Sequence, residues 1–173
     1  MSKSELINAI RDIPDFPAPG VIFKDITTLI KDGRLFRETV DLMAQEFADR
    51  KIDLVVCIEA RGFIFGSALA YVLGAGVILV RKEGKLPHRT RKMSYSLEYG
   101  SATVEIHEDA VSPGSRVLIV DDLLATGGTL AATVDLVRGL GGKIEAAAVL
   151  IELDFLQGRE KLKDVPIFSL IHY

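Results

Sequence analysis

Thirteen residues, VLIVDDLLATGGT from Val117 to Thr129, concentrate the reactive chemistry of this chain. An apolar run ends in two adjacent acids, crosses a loop of small residues and enters a helix-forming stretch. Ala125, Thr126, Gly127, Gly128 and Thr129 then stand at a helix N-terminus. Backbone N–H groups are unpaired there, and the helix dipole favours an anion. Two glycines let the backbone approach a phosphate closely, and the threonine hydroxyls add donors. No lysine follows the glycines, so this is not a Walker A loop. It is not GxGxxG either, which argues against a dinucleotide. Asp121 and Asp122 beside such a cradle would repel phosphate. They suit hydroxyl groups, or a Mg²⁺ held mainly by its ligand. A phosphorylated sugar with free hydroxyls meets both demands.

The elements that must hold this motif are legible as an alternation. The apolar runs Leu54–Ile58, Val77–Val80, 116–122, 144–153 and 167–171 read as buried strands. Between them, FIFGSALAYVLGAG reads as a crossover helix stopped at Gly74 or Gly76. The stretch from Thr126 reads as a second helix, with Leu130, Val134, Val137 and Leu140 on one face. Upstream, residues 3–11 suit a short helix, and IPDFPAPGVIF is stiff and extended. Lys31 to Arg50 reads as a helix capped by Asp32. The polar, basic segment Arg81–Met93 reads as a mobile loop. It is followed by a hairpin around Gly100, in which Ala102, Val104 and Ile106 alternate with polar neighbours. A short helical piece is expected near Gly158–Leu162. The fold class is therefore α/β, a central mainly parallel sheet flanked by helices. Ligands in such sheets sit beyond the carboxyl ends of the strands. That directs attention to Glu59–Gly62, Arg81–Lys85 and Asp121–Thr129.

Composition sets the outer bounds. The 173 residues suit one domain, with 49% hydrophobic and 26% charged residues and a net charge of −3. A general nucleic-acid or membrane-surface binder would carry a basic excess. The single cysteine, Cys57, excludes an internal disulfide and suits a reducing, cytoplasmic home. His88, His107 and His172 show no metal-ligand spacing. No apolar run is long enough to span a membrane, and the N-terminus is charged throughout.

The sequence resembles the type I phosphoribosyltransferases, most closely their adenine-using branch. The resembling segments are FPAPGVIFKDIT, EARGFIFG, VRKEGKLP, YSLEYG, VLIVDDLLATGGT and GREKL, in family order from about Phe16 to the C-terminus. The resemblance implies a single domain, 1–173, with an N-terminal hood over about 1–30 and a mobile loop and hairpin over about 81–100. It implies purine salvage: ribose 5-phosphate passes from phosphoribosyl pyrophosphate to N9 of adenine, giving AMP and pyrophosphate. Mg²⁺ would be held mainly through the substrate, with no protein metal site, and the chain would form a homodimer.

Residue roles carry over by the same resemblance. Asp121 and Asp122 would hold the ribose hydroxyls, and Ala125–Thr129 the 5-phosphate. Glu59, Ala60 and Arg61 would form a pyrophosphate loop, joined by Arg81, Lys82, Lys85 and Tyr99. Glu98 would be the catalytic acid at adenine N7. Ile22, Phe23 and Lys24 would bind adenine, with Phe23 stacked on the base and the backbone of its neighbours reading the purine edge. The family more often has arginine where Lys24 stands. Two rivals are a sister enzyme using another base, and a non-catalytic regulator that binds phosphoribosyl pyrophosphate. FPAPGVIF and LEYG argue against the first. The second usually carries an added DNA-binding module, for which this chain is expected to have neither spare length nor a basic N-terminal segment.

Overall fold

The apolar runs of the second half become neighbours in one seven-stranded sheet. In the computed structural model, which describes residues 3–97 and 100–173, its strands are β3 (Leu54–Ile58), β4 (Gly76–Lys82), β5 (Thr90–Ser96), β6 (Ser101–His107), β7 (Arg116–Leu124), β8 (Lys143–Glu152) and β9 (Ile167–His172). Their order is β5-β6-β4-β3-β7-β8-β9. The five from β4 to β9 in that order run parallel. The hairpin β5–β6 is antiparallel and joins the edge of β4. Helices α4 (Gly62–Leu73) and α5 (Gly128–Gly139) make two of the crossovers. Parallel strands need such connections, and their carboxyl ends then share one edge of the sheet.

Central position dictates burial. Val55, Val56 and Cys57 of β3 and Val117 to Val120 of β7 are fully buried, as an apolar strand covered on both faces must be. On α5, Leu130, Val134 and Val137 face the core, while Leu140 is only half-buried. Gly74 ends α4 at φ 68°, a left-handed cap that a residue with a Cβ rarely adopts.

Four sequence expectations change. The Arg81–Met93 loop is shorter than expected. Arg81 and Lys82 finish β4, and Thr90 to Ser96 form β5, paired along its length with β6. Strand β7 continues past the two acids to Leu124, because Asp121, Leu123 and Leu124 pair with β8. Val77 and Leu79, expected in a buried strand, are 43% and 40% exposed. Lastly, β6 is more buried than an alternating strand, since Glu105 is only 2% exposed.

The chain divides into two units, Met1–Leu42 and Met43–Tyr173, the boundary falling inside α3 (Gly33–Phe47). In the first unit, α1 (Lys3–Ala9) precedes the two-stranded ladder of β1 (Arg11–Pro14) and β2 (Ile22–Asp25), followed by the short α2 (Thr27–Ile30). The PDFPAPG segment, expected to be extended, connects those two strands and instead turns, with Asp15 at φ 56° and Gly20 at φ 83°. Asp32 caps α3 as expected, accepting the N–H of Arg34 at 2.9 Å.

Candidate active site

A cavity of about 350 Å³ opens at the carboxyl ends of β3, β4 and β7, within the second unit. Asp121 and Asp122 enter it from β7, Glu59 to Arg61 from the end of β3, and Arg81 and Lys82 from the end of β4. Ala125 to Thr129 complete the wall at the N-terminus of α5. Three strand ends and one helix start, distant in sequence, thus surround one volume because the sheet is parallel.

Asp122 is 5% exposed and Asp121 half-buried. Asp121 Oδ1 accepts the backbone N–H of Asp122 at 2.8 Å. Burial, reinforced by the neighbouring Asp122 charge, pushes the Asp121 carboxyl well above its usual range. Burial also raises Asp122, and the Arg61 guanidinium opposes that rise. The Arg61 Nε to Asp122 Oδ2 distance is 2.8 Å. Gly62 permits this packing. A Cβ there would lie 2.9 Å from the Val120 carbonyl oxygen and 3.0 Å from Asp121 Oδ1.

The opposite wall is cationic and is organised by Glu59. Its carboxylate accepts the backbone N–H of Lys82 at 2.9 Å and Arg81 Nη2 at 3.2 Å. Lys85 Nζ lies 3.7 Å away. Burial pushes Glu59 upward, but the Lys82 and Arg81 donors outweigh it and hold the carboxyl below its usual range. The expected pyrophosphate donors are therefore gathered around an internal carboxylate. Among the described residues, Arg81 Nε is a buried donor with no acceptor. The Glu59–Ala60 peptide bond is cis.

Gly127, at φ 80°, is the N-cap of α5. This left-handed turn is open to glycine and strained for other residues. Thr129 Oγ1 donates to the Tyr95 hydroxyl at 2.8 Å, and a Cβ on Gly128 would lie 2.9 Å from the Tyr95 ring. Tyr95 of β5 is thus part of the site, although sequence reasoning placed it in a hairpin without a role. Glu105 was missed as well. From β6 it accepts the N–H groups of Lys85 and Leu86, at 3.0 and 2.9 Å, and so shapes the turn after β4. Burial raises that carboxyl, and the Leu86 and Gly84 N–H groups with Thr90 outweigh it, leaving it below the usual range.

Ile22, Phe23 and Lys24 lie on β2 in the first unit. There, Phe23 meets the Phe16 ring edge-on at 5.2 Å, and Lys24 Nζ reaches Asp12 Oδ1 at 2.7 Å. Glu98 and Tyr99 lie outside the described residues. Cys57 is buried, and burial pushes its thiol up to about 12. His172 does belong to a possible metal cluster with Glu152 and Asp154, contrary to the reading of its sequence spacing. However, Arg159 already occupies both Glu152 oxygens, at 2.6 and 2.7 Å.

Comparison with known proteins agrees with this geometry. The phosphoribosyl transferase domain family matches residues 27–171. The adenine phosphoribosyltransferase of Acidobacterium capsulatum is 58% identical over 97% of this chain and 93% of its own length. The crystal structure of the enzyme of that name from Thermoanaerobacter pseudethanolicus superimposes with a TM-score of 0.97 at 50% identity, covering 99% of this chain and 100% of that one. The Saccharomyces cerevisiae structure, complexed with an imino-altritol bisphosphate and adenine, gives a TM-score of 0.92 at 42% identity, covering 97% of each chain. With an acid pair, an anion cradle and a cationic wall around one cavity, and with relatives of this closeness along its whole length, the chain belongs to the adenine phosphoribosyltransferase family.

Proposed function

We propose that the protein transfers ribose 5-phosphate from phosphoribosyl pyrophosphate to N9 of adenine, releasing AMP and pyrophosphate in purine salvage. The observation that carries this reading is the convergence of three chemically different walls on one cavity. Each wall suits one part of the sugar substrate. The α5 N-terminus, with Ala125 to Thr129, takes the 5-phosphate through backbone N–H groups and the Thr126 hydroxyl, the Thr129 hydroxyl being engaged with Tyr95. Asp121 and Asp122 accept hydrogen bonds from the ribose hydroxyls. Arg61, Arg81 and Lys85, with the backbone around Ala60 and Lys82, take the pyrophosphate. Glu59 serves that wall by holding its cations in place, since its own charge would repel a phosphate.

The reaction is a displacement at the anomeric carbon in which charge builds on departing pyrophosphate. Positioning and fixed positive charge lower that barrier. Arg81 and Lys85 leave Glu59 for the pyrophosphate, and the buried Arg81 Nε gains an acceptor in the rearrangement. Adenine is the base because the relatives carry that name and the yeast structure holds adenine. The roles of Ile22, Phe23 and Lys24 at the base, of Glu98 at N7 and of Tyr99 at phosphate rest on the family resemblance of their segments.

Mg²⁺ fits the donor set only as a ligand shared with substrate. Asp121 and Asp122 offer carboxylate oxygens, but Asp122 faces Arg61 and no third protein ligand joins them among the described residues. A cation bound chiefly by pyrophosphate and ribose oxygens matches that arrangement. When bound, it neutralises charge on the leaving group. A cytoplasmic homodimer completes the reading. Tyr71, Val72, Val77 and Leu79 expose apolar side chains along α4 and β4, as a dimer face does. Among the described residues, no helix is long and apolar enough to cross a membrane.

An initial-rate assay tests the reaction. Phosphoribosyl pyrophosphate and Mg²⁺ are supplied with adenine, hypoxanthine, guanine, xanthine or orotate in parallel. AMP from adenine alone is expected. Turnover of another base overturns the assignment of adenine, and no turnover with any base overturns the catalytic reading.

A further inference from the structure

We infer that Gly158 and Arg159, in the GREKL segment, are positioning residues for the 5-phosphate loop. The inference rests on the reading of Ala125–Thr129 as that loop. It starts from a contact between two backbones. A Cβ on Gly158 would lie 2.3 Å from the Ala125 carbonyl oxygen and 3.1 Å from the Gly127 nitrogen. Reciprocally, a Cβ on Gly127 would lie 2.4 Å from the Gly158 carbonyl oxygen. Neither neighbour is a side chain that can swing away. The 3-10 turn Gly158–Leu162 therefore abuts the cradle backbone to backbone.

The next residue fixes that turn to the sheet. Arg159 donates Nε and Nη2 to the two oxygens of Glu152, at 2.6 and 2.7 Å, and Nη1 to the Ile167 carbonyl at 3.1 Å. Nη2 also reaches Ser169 Oγ at 3.1 Å, and Ser169 bonds Glu152 in turn. Glu152 is 3% exposed, at the end of β8. A forked arginine–carboxylate pair has one geometry, so it sets the position of the preceding glycine as well as its own. The cradle thereby touches both Tyr95 of β5 and a turn anchored to β8 and β9. The anion-binding N–H groups are held where the phosphate will be, instead of being ordered by it.

Such a brace acts on one part of the substrate, which makes it separable from general stability. The test measures inhibition by ribose 5-phosphate, AMP and pyrophosphate in wild type, Gly158→Ala and Arg159→Lys, with thermal unfolding run alongside. Lysine keeps the charge at position 159 and loses the fork. We expect the inhibition constants of ribose 5-phosphate and AMP, and KM for phosphoribosyl pyrophosphate, to rise about 10-fold or more, as a misplaced binding group produces. The constant for pyrophosphate stays unmoved and kcat falls less than KM rises. If Gly158→Ala fails to fold, Arg159→Lys carries the test. Unchanged constants, or an equal rise for all three ligands, overturn the brace. Wild-type protein indifferent to ribose 5-phosphate overturns the loop reading itself, and the brace with it.

Discussion

Arg61 and Asp122 face each other at 2.8 Å, Nε to Oδ2, so the arginine assigned to pyrophosphate is closed upon a carboxylate assigned to ribose. On the proposed reading, substrate binding exchanges this internal pair for two external ones. The pair also opposes the rise that burial imposes on the Asp122 carboxyl. Arg61→Met removes that opposition and the Asp122 pKa climbs further. The acid limb of the kcat/KM profile for phosphoribosyl pyrophosphate then moves to higher pH. A variant that loses activity equally at every pH would show that Arg61 acts on pyrophosphate alone.

On the proposed reading, the Glu59 carboxylate competes with pyrophosphate for Arg81 and Lys85. Glu59→Gln keeps an oxygen for the Lys82 N–H and removes the charge facing Arg81 and Lys85. Pyrophosphate then inhibits more strongly, by about 5-fold, since charge-assisted contacts to those side chains no longer have an internal rival. Product-inhibition kinetics read this directly. Weaker inhibition would mean that the loss of cation positioning outweighs the loss of that rival charge.

Helix α4 lies against β3 at Gly66, where a Cβ would meet Cys57 Sγ at 2.2 Å. Gly66→Ala should cost about 1–3 kcal/mol by overpacking. Cys57→Ala removes the sulfur, so the double variant should recover part of that loss. Denaturant unfolding of the four proteins gives the coupling. Additive effects would place the clash elsewhere.

In the first unit, Asp25 is held at about 2, chiefly by its hydrogen bond from Arg11, with Thr27 adding to it. The folded value lies below the ordinary 3.8. The stabilisation is therefore present above about pH 4 and is lost as pH falls through 2. Asp25→Asn should cost about 1–2 kcal/mol at neutral pH, the exposed Arg11 side chain limiting the value. Unfolding curves of the two proteins should converge as pH falls toward 2. A gap that persists there would make the loss one of packing.

Much of this architecture was legible because each buried strand is an unbroken apolar run. Leu54 to Ile58 was read with the bounds that β3 has. The acid pair and its glycine cradle were legible too, because local backbone demands select those residues. Three features were not. Thr90 to Ser96 lacks apolar alternation because it is an edge strand with charged residues, which protects such edges from pairing. The exposure of Val77 and Leu79 depends on what covers β4, which the run itself does not encode. Glu59 with Arg81, and Arg159 with Glu152, meet only through the sheet, so no spacing announces them. The Gly127–Gly158 contact has a visible trace, the lone glycine that opens GREKL, but its partner emerges only in three dimensions.

Strand β7 lies between β3 and β8 at the middle of the sheet, and it carries the acids of the site on its last turns of pleat. Its amides from Leu118 to Val120 are bonded on both sides and fully buried. In hydrogen exchange they should open only with global unfolding, whereas amides near Gly84, in the turn between β4 and β5, should exchange through local opening. The two halves of the site thus differ in lifetime. The acids keep their places as long as the protein is folded, while the turn that carries Lys85 can loosen and re-form many times before the molecule ever comes apart.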